Sequence, residues 1–395
     1  MQGDEKNLNR VYLDFHSTTP VDPRVLERML PYFSEKFGNA ASGSHAFGWE
    51  AAQAVEFARK RVAELAGAGA REIVFTSGAT ESNNLAIKGA CGAAKKPGHL
   101  ITMSTEHKAV LDPVRRMEAA GWRVTVLEPG GDGLLDVGRL GEAMREDTAL
   151  VSVMYANNEI GVVQPVREIG ALCRERGVLF HCDAVQGFGK MPVNVEADGI
   201  DLMSVTAHKI YGPKGVGALY VRRGPKGAPR LAAQMDGGGH EFGMRPGTLN
   251  VPGIVGFGEA AAICGREMEE EGARVAKLRD RLRERLVGEL DEVRVNGSME
   301  QRLPGNLNMS FAGVDAEALL MSLPEIALST GSACSSATVE TSHVLRAIGL
   351  AEHWVRGAVR FGLGRMTTEE EIEYAAGRVV EAVRRLRRLS PVFEG

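Results

Sequence analysis

"REIVFTSGATESNNLAIKGA", residues 71–90, runs from a β-branched and aromatic stretch into Ser77-Gly78-Ala79-Thr80 and then directly into a helical pattern. A strand that feeds a helix through a glycine turn is half of a βαβ unit. The alternation continues through "HLITMS" (99–104), "VLDPVRRMEAAG" (110–121), "RVTVLEP", "ALVSVMYA", "EIGALCRERG", "VLFHCD", "DLMSVTA" and "GALYVRR". Short strands alternating with helices of this length predict an α/β fold with a mostly parallel sheet covered by helices on both faces. Ligands of such sheets sit beyond the carboxyl ends of the strands.

After residue 250 the pattern changes. Val275, Leu278, Leu282, Leu286 and Leu290 recur every three or four residues among charges, which predicts a long amphipathic helix. Thr368 and Glu371 stand at capping-box spacing ahead of a last helix through "AAGRVVEAVRRLRRL". With 395 residues, two domains are expected. These are a large domain over 16–260 and a smaller α+β domain over 261–395, joined by residues 1–15.

A net charge of −4 gives no general attraction to nucleic acid or membrane. The start, "MQGDEKNLNR", lacks the apolar core of a signal peptide. No apolar run approaches the ~18 residues of a membrane helix. Five cysteines, at 91, 173, 182, 264 and 334, are odd in number and include no Cys-x-x-Cys. They argue against a disulfide framework or zinc ribbon and for a reducing compartment, hence a cytoplasmic location. Four fit the pattern of buried thiols. Cys334 differs: in "STGSACSSATVETSH" (329–343) its neighbours are small and polar.

Three stretches carry candidate chemistry. In "FTSGATESNN" (75–84) free N–H groups at a helix start, with the Thr80 hydroxyl, suit a phosphate; an ordinary capped turn is the alternative. In "HCDAVQ" (181–186) the alternation of side chains along a strand prevents His181, Cys182 and Asp183 from chelating one metal. Asp183 instead suits a protonated ring nitrogen, or else caps a turn. In "SVTAHKIYGPKGVGALYVRR" (204–223) Lys209 ends a β-rich run, where lost solvation makes an amine nucleophilic. Thr206 and His208 are placed to donate to a phosphate, and Lys214 reads as a turn lysine. Phosphate cradle, carboxylate and amine together match pyridoxal 5'-phosphate, PLP. No metal is called for.

These stretches, with "STEHKAVLDP", "NNEIGVVQP", "GGGHEFGMRPGTLNVP", "GSACSSATVETSHVLRAIGL" and "VRFGLGRMTTEEEI", resemble the cysteine desulfurases of the IscS/NifS type, among the class V aminotransferase-like enzymes of PLP fold type I. The similarity runs from residue 11 to 391. It implies that Lys209 bonds the cofactor, Asp183 pairs with its ring nitrogen and His107 stacks on its face. It further implies that Gln186 and Asn158 border the ring hydroxyl and substrate, and that Ala79, Thr80, Thr206 and His208 hold the phosphate. Thr248 resembles the residue that reaches the phosphate in a partner subunit, so a homodimer is implied. Arg360 matches the arginine that grips the substrate carboxylate, and Asn39 a substrate-side residue. Cys334 corresponds to the cysteine that takes sulfur from L-cysteine as a persulfide, with Lys209 moving the Cα proton and His107 as proton relay.

The sulfur would pass to iron–sulfur scaffold or other acceptor proteins, and to tRNA thiolation. A selenocysteine lyase and a transaminase of the same fold are the alternatives. Gly38-Asn39-Ala40 and Arg245-Pro246-Gly247-Thr248 depart from the usual "GNP" and "RSGT", and His16 stands where relatives carry a small or polar residue; no role is expected of it. The run Arg384, Arg385, Arg387, Arg388 reads as the solvated face of a terminal helix.

Overall fold

The computed structural model describes residues 10–224, 227–330 and 342–389. A short parallel pair joins β1 (Val11–Tyr12) to β11 (Ile326–Ala327). Seven strands form the main sheet: β2 (Ile73–Thr76), β3 (His99–Met103), β4 (Arg123–Leu127), β5 (Thr148–Ser152), β6 (Leu179–Asp183), β7 (Leu202–Thr206) and β8 (Gly217–Val221). Their order is β2-β8-β7-β6-β5-β3-β4. Only β8 runs antiparallel to its neighbours, so the sheet is mostly parallel as the alternation predicts.

The apolar runs are explained by burial on both faces. Every residue of β2, β3, β7 and β8 is buried, whereas the edge strand β4 exposes Arg123 and Val126. A smaller antiparallel sheet has β10 (Asn306–Phe311) between β12 (Ala358–Gly362) and β9 (Val293–Val295).

One helix, Val251–Glu289, serves both regions. Its 39 residues reach about 58 Å at 1.5 Å per residue. Phe257, Ala260 and Ile263 belong to the core under the main sheet. Val275, Leu278, Leu282 and Leu286 belong to a second core with Leu307, Phe361, Val11 and Leu13. The expected division at 260/261 therefore falls inside a continuous helix, and the residue-11 end of the chain packs with the smaller sheet. The last helix, Glu369–Leu389, starts at a capping box: Thr368 N donates to Glu371 Oε2 at 2.9 Å, and Glu371 N to Thr368 Oγ1 at 3.2 Å.

The basic run at its end is not wholly solvated. Arg387 is buried and donates to the carbonyls of Ala312 (2.9 Å) and Glu292 (3.0 Å), while Arg384 donates to that of Glu289 at 2.7 Å. Loose carbonyls at the ends of neighbouring elements recruit these guanidinium groups, a use that local charge pattern does not reveal.

Candidate active site

The carboxyl ends of β2, β3, β5, β6 and β7 open onto a cavity of about 490 Å³. Arg360, on β12 of the smaller sheet, closes another part of its wall. Ala79, Thr80, His107, Asn158, Asp183, Gln186, Thr206, His208, Lys209 and Arg360 all line it. Sequence separations of up to 281 residues (79 to 360) are thus collected by one sheet edge and one strand.

The helix Ala79–Ala93 begins at Gly78, whose φ of 152° and ψ of 179° suit glycine alone, and no side chain caps it. Its first N–H groups are left at the cavity wall beside Thr80. Thr206 Oγ1 donates to the Val216 carbonyl at 3.2 Å, and His208 Nδ1 lies 3.1 Å from Thr18 Oγ1. Burial, with Lys209, Lys214 and Lys190 nearby, pushes the His208 pKa down to about 4. Lys214, read as a turn lysine, also lines the cavity.

Asp183 ends β6 and is buried. Its Oδ2 accepts from Asn83 Nδ2 at 2.8 Å and its Oδ1 from Val185 N at 3.1 Å. Burial raises its pKa above the usual carboxylate range, opposed by these hydrogen bonds and by His107 and Lys209. His107 caps the helix Lys108–Ala119, its Nδ1 accepting from Ala109 N at 3.0 Å. A neutral ring therefore carries its hydrogen on Nε2. Burial holds its pKa below the ordinary value.

Lys209 closes a short 3-10 turn after β7, and its Nζ donates to the carbonyls of His16 and Ser17, each at 2.5 Å. Arg360 Nη1 donates to the Asn158 carbonyl at 2.7 Å and Nη2 to Asp14 Oδ1 at 2.8 Å. Its Nε is buried without a hydrogen-bond partner among the described residues.

Asn39 and Thr248 are exposed and do not line this cavity. Cys334 lies outside the described residues, although both flanks of its segment are placed. Arg360 N donates to Ser329 O at 2.7 Å, and Ser342 Oγ donates to Glu159 Oε2 at 2.5 Å. The other four cysteines are buried and unpaired; burial pushes Cys91 and Cys173 up to about 12 and Cys264 to about 11. His181 spends its ring nitrogens on Ser152 (2.8 Å) and Ser204 (3.0 Å), so it does not join Asp183 in a chelate. Among the described residues, no cluster of three or more His, Cys, Asp or Glu could hold a metal.

Sequence reasoning passed over Asp14, His16, Asn83 and Lys190. Asn83 carried a signal, a polar side chain one turn inside a helix on the face toward the sheet. Asp14 and His16 acquire meaning only through partners far along the chain, and Lys190 only once Gln186, four residues before it, is seen to line the cavity.

The cavity fits PLP on its own chemistry. An uncapped helix start with hydroxyls suits a phosphate, and a buried carboxylate suits a cationic ring nitrogen. Asn83 Oδ1, buried beside Asp183, has no hydrogen-bond partner among the described residues, which leaves acceptor capacity at the same wall. Lys209 supplies an amine.

Comparison with known proteins agrees. The aminotransferase class-V family model matches residues 11–375. A cysteine desulfurase IscS of Anaeromyxobacter dehalogenans (strain 2CP-C) is 60% identical over 385 residues, 97% of this chain and 95% of that protein. Among solved structures, a NifS-like protein superposes with a TM-score of 0.88 at 37% identity, covering 95% of this chain and 99% of that one. SspA in complex with cysteine gives 0.79 at 38% identity, covering 91% and 100%. The chain belongs to the aminotransferase class-V family and, within it, to the cysteine desulfurases of the IscS type.

Proposed function

We propose that the chain is a PLP-dependent cysteine desulfurase that converts L-cysteine to L-alanine and leaves the sulfur as a persulfide on Cys334. The observation that carries this reading is the meeting of Lys209, Asp183, His107 and Arg360 around one cavity. PLP, when bound, acts as an electron sink for the carbon that loses its proton. Lys209 would hold the cofactor, and its amine would move the Cα proton of the substrate. Asp183 keeps the ring nitrogen protonated, and Thr80, Thr206, His208 and the helix start at Ala79 hold the phosphate. Gln186 and Asn158 border the ring oxygen and the substrate. Arg360, in the cavity wall, grips the substrate carboxylate through its planar guanidinium.

The Cys334 thiolate attacks the substrate sulfur. An S–S bond forms as the C–S bond breaks, and the electrons of the broken bond stay with the carbon skeleton, which is protonated and leaves as alanine. A free thiol of pKa about 8.5 is only a few per cent thiolate at pH 7. His107, with Nδ1 tied to its own helix, has Nε2 left for proton relay. Attachment of the segment flanking Cys334 to Arg360 and Glu159 supports delivery of that thiol to the cavity.

A homodimer completes the reading. Thr248, outside its own cavity, is assigned to the partner's phosphate, and Asn39 to the substrate side. Phe33, Phe37, Phe47, Trp49 and Phe57, each more than half exposed, supply an apolar face on the 31–57 region for a second copy. Iron–sulfur scaffold or other sulfur-acceptor proteins and tRNA thiolation are the proposed destinations, in the cytoplasm. No described helix is long and apolar enough to cross a membrane. The two-domain division is proposed with α+β residues after 260, and the residue-11 strand, as the smaller unit.

The test is alanine formation from L-cysteine without added reductant, with intact-mass analysis and Cys334→Ala alongside. About one alanine per site and one added sulfur on the Cys334 peptide are expected, with neither in the variant. Bound PLP without alanine or added sulfur in the wild type would refute the reading and bring forward a transaminase; full activity in Cys334→Ala would favour a selenocysteine-lyase-like route.

A further inference from the structure

Gln186 is 4% exposed, lines the cavity, and is held by three polar contacts. Its Nε2 donates to the His16 carbonyl at 3.0 Å. Its Oε1 lies 3.0 Å from His16 Nδ1 and accepts from Lys190 Nζ at 3.2 Å. These partners fix which way the amide faces. Reversed, its oxygen would meet the His16 carbonyl oxygen and its NH₂ would meet the Lys190 amine, so two of three contacts would set like against like. The neutral His16 ring therefore spends its hydrogen at Nδ1 on Gln186. Its Nε2 then carries only a lone pair and faces the Gly305 carbonyl at 3.2 Å without a hydrogen bond, one mismatch against the two that the reversed amide would make.

The accounting for Gln186 then closes. Both lone pairs of Oε1 are taken and one Nε2 hydrogen is taken. What remains for the cavity is the second Nε2–H. We propose that His16 and Lys190 are positioning residues that lock Gln186 as a hydrogen-bond donor toward the ring oxygen of the bound cofactor. This rests on the PLP reading above. A donor at that place favours the ionised oxygen over the hydroxyl. Lys190 lines a separate pocket with His16, Gly305 and Glu271; its hydrogen bond toward the cavity is the one to Gln186, and its charge is also felt by His208. The His16 carbonyl that takes Gln186 also takes Lys209 Nζ, so one backbone atom orders both the donor and the cofactor-bonding amine.

The test compares holoenzymes of wild type, His16→Asn, His16→Asp and Lys190→Met at one neutral pH. The readouts are the PLP dissociation constant and the visible absorption band. Asparagine keeps an N–H donor near the place of Nδ1, and aspartate puts an acceptor there. His16→Asn is expected to keep the wild-type spectrum and affinity. His16→Asp should bind PLP on the order of fivefold more weakly, with a diminished visible band, as expected for one lost hydrogen bond of about 1 kcal/mol. Lys190→Met should move both readouts the same way by about two- to fivefold.

An unchanged His16→Asp overturns the proposal, as does a His16→Asn that loses as much as His16→Asp. Should His16→Asp fail to fold, Lys190→Met decides: unchanged band and affinity overturn the lock. A wild type that takes up no PLP overturns the cofactor reading itself, a result distinct from variants indistinguishable from a PLP-binding wild type.

Discussion

Replacing Arg360 by lysine keeps a positive charge at the cavity wall and removes the planar fork. In the native arrangement two anchors hold the guanidinium, the Asn158 carbonyl at 2.7 Å and Asp14 at 2.8 Å, while Nε–H stays buried and uncommitted. A lysine has one nitrogen, drawn to the same two acceptors, and cannot be anchored and reach a substrate carboxylate at once. One charge-assisted hydrogen bond is worth about 1.5–3 kcal/mol. The expected loss in kcat/KM for L-cysteine is therefore about 10- to 150-fold. The assay follows product amine from L-cysteine and from 2-aminoethanethiol, which lacks the carboxylate. In Arg360→Lys the loss should fall on cysteine and largely spare 2-aminoethanethiol. An equal fall on both substrates, or none, would refute the carboxylate role.

Two further outcomes concern stability. Asp22 accepts from Arg24 and Arg365, and the Arg24 hydrogen bond foremost holds its carboxyl well below the usual range. A depressed carboxylate stabilises the fold above its unfolded pKa of about 3.9 and loses that contribution as pH falls toward its folded value. Wild type should therefore exceed Asp22→Asn in urea resistance at neutral pH, and the gap should close as pH falls below about 4; a gap that widens in acid would contradict this. Glu241, at φ 46°, accepts from both Nη atoms of buried Arg59 at 2.7 Å and from Phe75 N at 2.6 Å. Glu241→Gln leaves buried Arg59 with only the largely exposed Glu56 as counter-charge and should cost about 3 kcal/mol in urea unfolding. A loss below about 1 kcal/mol would show the pair to be no more than a surface contact.

The architecture was legible where short-range chemistry sets it. β-branched runs alternating with helical periods specify strands buried on both faces, and Thr368 with Glu371 specifies a helix start realised by two reciprocal bonds. Ten of the candidate side chains meet at one cavity, most of them because they sit at a strand end, a helix start or the turn between, whereas Arg360 comes from the middle of β12. The unity of the helix Val251–Glu289 was not legible. Its first half is buried nearly all round in one core and its second half buries a single stripe in another, so the pattern changes partway along its length. Arg387 was misread for a related reason: its acceptors, Ala312 and Glu292, lie on other elements.

The sequence by itself determined the strand–helix alternation, the glycine turn at Ser77–Thr80, and the residue types suited to a cofactor with a phosphate, a basic ring nitrogen and an aldehyde. Only the tertiary structure decided how those groups are held. His16, Gly305 and Gln186 are separated by up to 289 residues and meet because β12 returns beside the chain leaving β1, with Gly362 accepting from Phe15 N and donating to the Leu13 carbonyl. Hydrogen bonds and burial act over a few ångströms of space, whereas a linear pattern records only neighbours along the chain. The supporting shell around Lys209, Gln186 and Arg360 therefore becomes visible only once the two cores have packed.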